Sequence, residues 1–215
     1  MLVEEIMTTE LITLSPNSTI SEAVQIMKDN KIRHIPIVDE NKKLVGLVSS
    51  KTLKNEISLN AITETGTPIS EKKIEDVMIK NVITGHPLDF VEEIALTFYE
   101  MKISCLPILS GGQLVGLVTA SDLLYTYVEL TGANKPSSKI DIRVEDRPGI
   151  LSDILVVFKK HNANVLSVLL FPDSKDEKYK IVSIRVQIIN PLSIIEDLKK
   201  EQFNVLWPNL PGISQ

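Results

Sequence analysis

The stretch Leu44-Val45-Gly46-Leu47-Val48 returns as Leu114-Val115-Gly116-Leu117-Val118 without a single change. Such self-similarity marks a duplicated supersecondary unit. Working outward, residues 6–53 align with 77–123 across one deletion. Met7 falls on Met78, Thr13 on Thr84, Pro16 on Pro87 and Glu22 on Glu93. Lys31-Ile32 falls on Lys102-Ile103, Pro36 on Pro107 and Leu53 on Leu123.

The local physics repeats with the letters. In the first copy Thr19 and Glu22 suit a capping box, and Ile20, Ala23, Val24 and Met27 follow at helical spacing. In the second, Asp89 is the candidate cap, and Val91, Ile94, Ala95 and Phe98 recur at i, i+3, i+4 and i+7. Each helix precedes two apolar β-type runs, His34–Val38 with Leu44–Ser49 and Cys105–Leu109 with Gln113–Thr119. Asp39–Lys43 and Ser110-Gly111-Gly112 read as hairpin turns. A closing helix opens near Ser50 in the first copy; in the second it opens at Ser121 and stops at Gly132. One copy is too short to bury a safe core, so the two are expected to pack together.

The second copy closes as Gly116-Leu117-Val118-Thr119-Ala120-Ser121-Asp122, after a strand Leu106-Pro107-Ile108-Leu109 that echoes Ile35-Pro36-Ile37-Val38. A strand ending at a helix start presents free N–H groups and the positive end of the helix dipole, which together attract an anion. Thr119 and Ser121 add hydroxyls, and the Asp122 carboxylate can accept two hydrogen bonds from a vicinal diol. A ribose beside a phosphate suits that set. The same residues also suit a plain helix cap, with Asp122 complementing the dipole. Both readings stand on the sequence.

This doubled pattern, over roughly residues 1–130, resembles a CBS pair, or Bateman module. The resemblance implies that a cleft combines the closing motif of one copy with the early strands of the other. Asp122, Thr119, Ser121 and Gly116 then share a cleft with Thr13, Pro16, Arg33, His34 and Ile35, where Arg33 can fork a phosphate. Alternatively, Arg33 is solvated and His34 packs in its strand. A second cleft would collect Ser49, Lys51, Thr52, Thr84, Ser104 and Cys105. It has Thr52 where the diol acceptor should be and no Arg-His pair, so it is read as degraded.

The last third changes period. Ile140, Ile142 and Val144 alternate as a strand, Asp146-Arg147-Pro148-Gly149 turns, and Ile150, Leu151, Ile154, Leu155 and Phe158 make a helical stripe ending near His161. Val165–Phe171 and Tyr179–Ile188 read as strands, Leu192–Lys200 as a helix and Asn204–Trp207 as the last strand. That βαββαβ order, with the turn Asp146 to Leu151, resembles an ACT domain. The resemblance implies an amino-acid or other small effector at Asp146, Pro148, Gly149, Ile150 and Leu151, with amide contacts from Asn162 or Asn164. The alternative is a plain turn capped by Asp146.

The expected fold class is therefore α/β (α+β): CBS repeat 1 over 1–59, a linker over 60–73, CBS repeat 2 over 74–130, a linker over 131–138 and a ferredoxin-like ACT domain over 139–210. In the linker, Ile62 and Ile69 are candidates for local packing. The full arrangement, with His86–Ile94 and Leu130-Thr131-Gly132-Ala133, resembles the acetoin-utilization proteins of Gram-positive bacteria.

Composition limits the function. The chain has 215 residues, 43% hydrophobic and 24% charged, with a net charge of -5. It lacks the basic stripe for nucleic acid, and aromatics at 5% make a base-stacking surface an unfavoured reading. No run reaches membrane-span length, the N-terminus lacks a secretory pattern, and a lone Cys105 fits a reducing compartment. The cytoplasm is expected. The three histidines, His34, His86 and His161, form no ligand-spaced cluster, so no metal is expected. The leading reading is a non-catalytic regulator and homodimer. Its ligand is AMP, ADP, ATP or S-adenosylmethionine, no cofactor is required, and the regulated partner protein is unidentified. Nucleotide binding would be passed to the ACT domain through the helix Leu123–Gly132. The competing readings are a dimerisation scaffold with vestigial sites and a thiol-dependent enzyme using Cys105 with His34.

Overall fold

The structure, a computed structural model, describes residues 1–59 and 68–208. Ile62 and the final residues of the expected ACT domain lie outside the described residues. The chain divides into two compact units, Met1–Leu124 and the part from Tyr125 onward.

In the first unit the repeat is built as helix, hairpin, helix. Helix α1 (Ile20–Asp29) is followed by strands β1 (His34–Val38) and β2 (Leu44–Ser49) and helix α2 (Ser50–Leu59). Helix α3 (Val91–Met101), strands β3 (Cys105–Ser110) and β4 (Gln113–Thr119) and helix α4 (Ala120–Thr131) repeat it. The Thr19 hydroxyl accepts from Glu22 N, and the Glu22 carboxylate accepts from Thr19 N at 2.9 Å. This reciprocal cap satisfies two donors that the first turn would otherwise leave open.

The second copy departs from expectation here. Its helix starts after Phe90, whose N–H is accepted by Glu93. Asp89 instead accepts from His86 N at 2.7 Å, which tightens the preceding turn. The short Asp side chain closes a local turn more readily than it reaches forward.

Both hairpins are antiparallel and pair Pro36 with Leu47 and Pro107 with Leu117. The prolines cost no ladder bond, because on their outer side only their carbonyls are used. Leu14 N donates to Pro36 O, and Gly85 N to Pro107 O. The Gly111-Gly112 turn has φ of 57° and 78°, the left-handed values a two-residue hairpin loop requires.

The two repeats exchange their lead-in segments. Val3, from the 3-10 turn Val3–Glu5, is fully buried with Ile94, Phe98, Leu106, Ile108 and Val118 of the second repeat. Ile69 and Ile74 are buried with Ile20, Ala23, Ile35, Ile37 and Val48 of the first. Hence residues from Pro68 to Lys73, read from sequence as linker, include a 3-10 turn that completes the first core. Fully burying a Val or Ile side chain contributes about 1.5–3 kcal/mol. Backbone bridges seal the exchange: Thr8 pairs with Leu117, and Leu47 with Ile79.

The identical glycines of the repeated stretch have a packing reason. A Cβ on Gly116 would lie 2.4 Å from the sulfur of Met7, and one on Gly46 2.3 Å from that of Met78. Each methionine lies against the bare backbone of the opposite repeat.

The second unit has strands β5 (Ser138–Glu145), β6 (Val165–Pro172), β7 (Tyr179–Val186) and β8 (Asn204–Trp207), with helices α5 (Ile150–Lys160) and α6 (Leu192–Lys200). The sheet order is β6-β7-β5-β8, with every neighbouring pair antiparallel. Ile140, Ile142 and Val144 alternate into a core with Val182, Ile184, Ile154, Phe158, Ile194 and Leu198. Strand β7 stops at Val186, before the expected Ile188; Gln187 N turns to Asn164 O.

Gly116→Ala should force Met7 out of its seat and lower stability by about 1–3 kcal/mol, the usual cost of overpacking. Urea unfolding followed by circular dichroism checks this, and Gly46→Ala should behave alike.

Candidate functional site

Strand β1 alternates, so His34 and Pro36 face one side while Ile35 and Ile37 enter the core with no exposure. On the outward side lies a cleft of about 270 Å³. Its lining includes Lys31, Arg33, His34 and Pro36 from the first repeat and Leu117, Thr119, Ser121 and Asp122 from the second. Thr8, Glu10, Leu11 and Ile12 of the exchanged N-terminal segment complete it. Arg33 Nη2 donates to Ser121 Oγ at 3.3 Å, joining the repeats across this cleft.

The structure thus brings together five expected residues, Asp122, Thr119, Ser121, Arg33 and His34. It leaves four others apart. Ile35 is core. Thr13 and Pro16 line a separate shallow hollow with Leu14, Asn17, Val38 and Asp39. The reason is register: Leu14 pairs in parallel with Ile37, so residues 13–16 pass the far end of the strand. Gly116 is buried beneath Met7 and lines no part of the cleft.

Asp122 sits in the first turn of α4. Its Oδ2 accepts from Thr119 N and from Thr119 Oγ1, both at 2.7 Å. Asp122 therefore closes the first turn of α4 and also lines the cleft. The first repeat does the same with neutral groups: Ser49 Oγ and Thr52 Oγ1 lie 2.9 Å apart, and Thr52 N donates to Ser49 Oγ.

Ser49 and Thr52 answer each other, Lys51 is exposed, and Thr84 lies beside Gly85 at the far end of β3. Ser104 instead meets the first repeat, with its Oγ 3.2 Å from His34 Nε2. Burial lowers the His34 pKa below its ordinary value, and the neighbouring Arg33 charge lowers it further. At neutral pH His34 is a neutral hydrogen-bonding group, so Arg33 is the cationic member of the pair.

Cys105 is buried and its thiol is pushed up to about 12, first by burial and then by the Asp122 charge. His34 faces Ser104, and no thiol–imidazole pair forms. A buried, protonated thiol is a poor nucleophile. Among the described residues no His, Cys, Asp and Glu group has the arrangement of a metal site.

In the second unit, Gly149 (φ 84°) caps the start of α5 and leaves open space where a side chain would be. Asp146 pairs with Lys180 at 2.7 Å, and Arg147 with Asp153 at 2.7 Å. Pro148 is exposed, whereas Ile150 and Leu151 turn toward the core. Asn162 and Asn164 lie past the other end of the eleven-residue helix α5, about 16 Å away at 1.5 Å per residue. Asn164 donates to Gln187. The turn and the two asparagines therefore do not form one site within a single chain.

Sequence reasoning missed Glu10, Lys31 and the apolar lining Leu11 and Ile12. The exchange of the N-terminal segment carries residues 8–12 there, and no local pattern announces it.

Comparison with known proteins adds the following. The CBS domain family matches residues 3–59 and 74–129, and the ACT domain family matches residues 138–202. A homoserine O-acetyltransferase of Methanococcus vannielii is 35% identical over 130 residues, 58% of this chain. The match spans only 24% of that enzyme's length. The CBS domain pair of protein MJ0100, solved with 5′-methylthioadenosine and S-adenosyl-L-methionine, is 32% identical with a TM-score of 0.54. It covers 63% of this chain and 98% of that one. A Vibrio cholerae protein described as an acetoin utilization protein (AcuB) is 32% identical with a TM-score of 0.55, covering 62% of this chain and 95% of its own. No described helix is long and apolar enough to cross a membrane.

Two measurements test these protonation states. His34 is less basic folded than unfolded, so the unfolded chain takes up more protons as pH falls below the ordinary histidine pKa of about 6.5. Stability should decline from pH 7.5 toward 5.5, and His34→Gln should flatten the decline; equal slopes would refute it. With its thiol pushed up to about 12, Cys105 stays protonated at pH 8. Native protein should therefore resist alkylation that unfolded protein undergoes within minutes.

Proposed function

The chain belongs to the CBS-domain family, its CBS pair followed by an ACT domain, and from that premise we propose that it is a non-catalytic sensor of an adenosyl ligand. The carrying observation is the shared cleft, in which Arg33 of one repeat bonds Ser121 of the other beside Asp122. A ligand there touches both repeats at once, so occupancy shifts how they pack. The Asp122 carboxylate takes the ribose hydroxyls, and Arg33 with the start of α4 takes an anionic or polar tail. AMP, ADP, ATP and S-adenosylmethionine are the candidates. The bound adenosyl compounds of the MJ0100 pair support this choice.

The ACT domain is the second sensing element, for an amino acid or similar small effector. With Asn162 and Asn164 far from Gly149, its site is completed by a second copy, consistent with a homodimer. Leu96 and Tyr99 of α3, at i and i+3 on one face, are 54% and 72% exposed, an apolar pair suited to self-association. The likeness to the Vibrio cholerae protein supports a place in acetoin utilization, and the cytoplasm is the proposed location.

A thermal-shift and calorimetric screen of the adenosyl ligands tests the reading. A ligand at a hundred times its Kd should add about 2.7 kcal/mol of stability. Asp122→Ala should weaken it roughly 10- to 150-fold. Asp122→Asn, which keeps a cap for α4, should weaken it less; unchanged affinity in both variants would remove Asp122 from the site. Silence of every ligand would favour the scaffold.

A further inference from the structure

Building on the adenosyl reading of the Arg33–Asp122 cleft, we infer that its occupant carries little net charge, an adenosyl thioether or sulfonium rather than a nucleoside triphosphate, and that Glu10 sets this preference. Four ionised side chains line the cleft, Glu10, Lys31, Arg33 and Asp122. The two cations and two carboxylates cancel. His34, held neutral by burial and by Arg33, adds no charge.

The positive end of α4 offers no surplus either. Asp122 lies in its first turn and already complements the dipole. The guanidinium of Arg33 is shared with Ser121. Glu10, like Lys31, is exposed and forms no ion pair among the described residues, so both charges face the cleft and offset one another. Without the Glu10 carboxylate the lining would be net positive and would favour a polyphosphate; with it the lining is neutral. Size agrees. About 270 Å³ lies just under the usual range of roughly 300–1,000 Å³ for small-molecule sites, enough for a nucleoside and a short tail.

The test is calorimetry of the full chain with 5′-methylthioadenosine, S-adenosylmethionine, AMP and ATP, each at about 20 mM and about 300 mM salt. The thioether or the sulfonium should bind tightest, with ATP weakest by roughly tenfold or more, and thioether affinity should barely respond to salt. Glu10→Gln should raise the ratio of ATP to thioether affinity by roughly two- to fivefold, the size of one exposed charge interaction, and Arg33→Gln should lower it. ATP binding as tightly as the thioether to the native chain, or a ratio unmoved by both variants, overturns the charge inference while leaving the adenosyl reading intact. Failure of all four ligands to bind overturns the adenosyl reading itself, and this inference with it.

Discussion

The structure depends on an exchange: each repeat's core is closed by the segment that leads into the other. Val3 fills the second core and Ile74 the first, both with no exposure, and the two methionines lie on the two equivalent glycines, Gly46 and Gly116. Neither half can be complete alone, because removing the partner uncovers its apolar face and leaves Thr8 and Leu117, or Leu47 and Ile79, without their backbone bridges.

The cleft follows from the exchange. The N-terminal segment, pinned at Thr8 to Leu117, brings Glu10 and Leu11 over the end of β4, while β1 brings Arg33 and His34 from the other side. Thr119 donates to Asp122 at 2.7 Å and so fixes the orientation of its carboxylate in the cleft lining. The divergence of the copies is chemical as well as positional. Where one has a carboxylate cap the other has the Ser49–Thr52 hydroxyl pair, and where one has Arg33-His34 the other has Ser104-Cys105. Burial then assigns roles: His34 is neutral, Cys105 is an inert thiol, and Arg33 is left as the cation at the repeat boundary.

The ACT unit shows the same division between framework and site. Its sheet and two helices close a continuous core from Ile140 to Leu198. Its candidate turn is open at Gly149, and its acidic residue is engaged by Lys180. The expected site residues lie at the two ends of α5.

The sequence by itself determined the elements. The repeated pentapeptide, the Thr19–Glu22 cap, the two-residue glycine turn and the alternation of Ile140, Ile142 and Val144 are local signals, and strands β1, β2 and β4 and helix α6 stand where those signals put them. It also singled out Thr119, Ser121 and Asp122, because a strand-to-helix junction is written in consecutive residues, whereas Arg33, just ahead of β1, was placed beside them by the family resemblance. Tertiary structure alone decided what met across the repeats: Glu10 and Lys31 in the cleft, Ser104 on His34, Thr13 and Pro16 turned away, and Gly116 serving Met7. Those outcomes depend on which segment packs on which repeat, a long-range choice made by burial of Val3 and Ile74, and periodicity within a single segment carries no record of it.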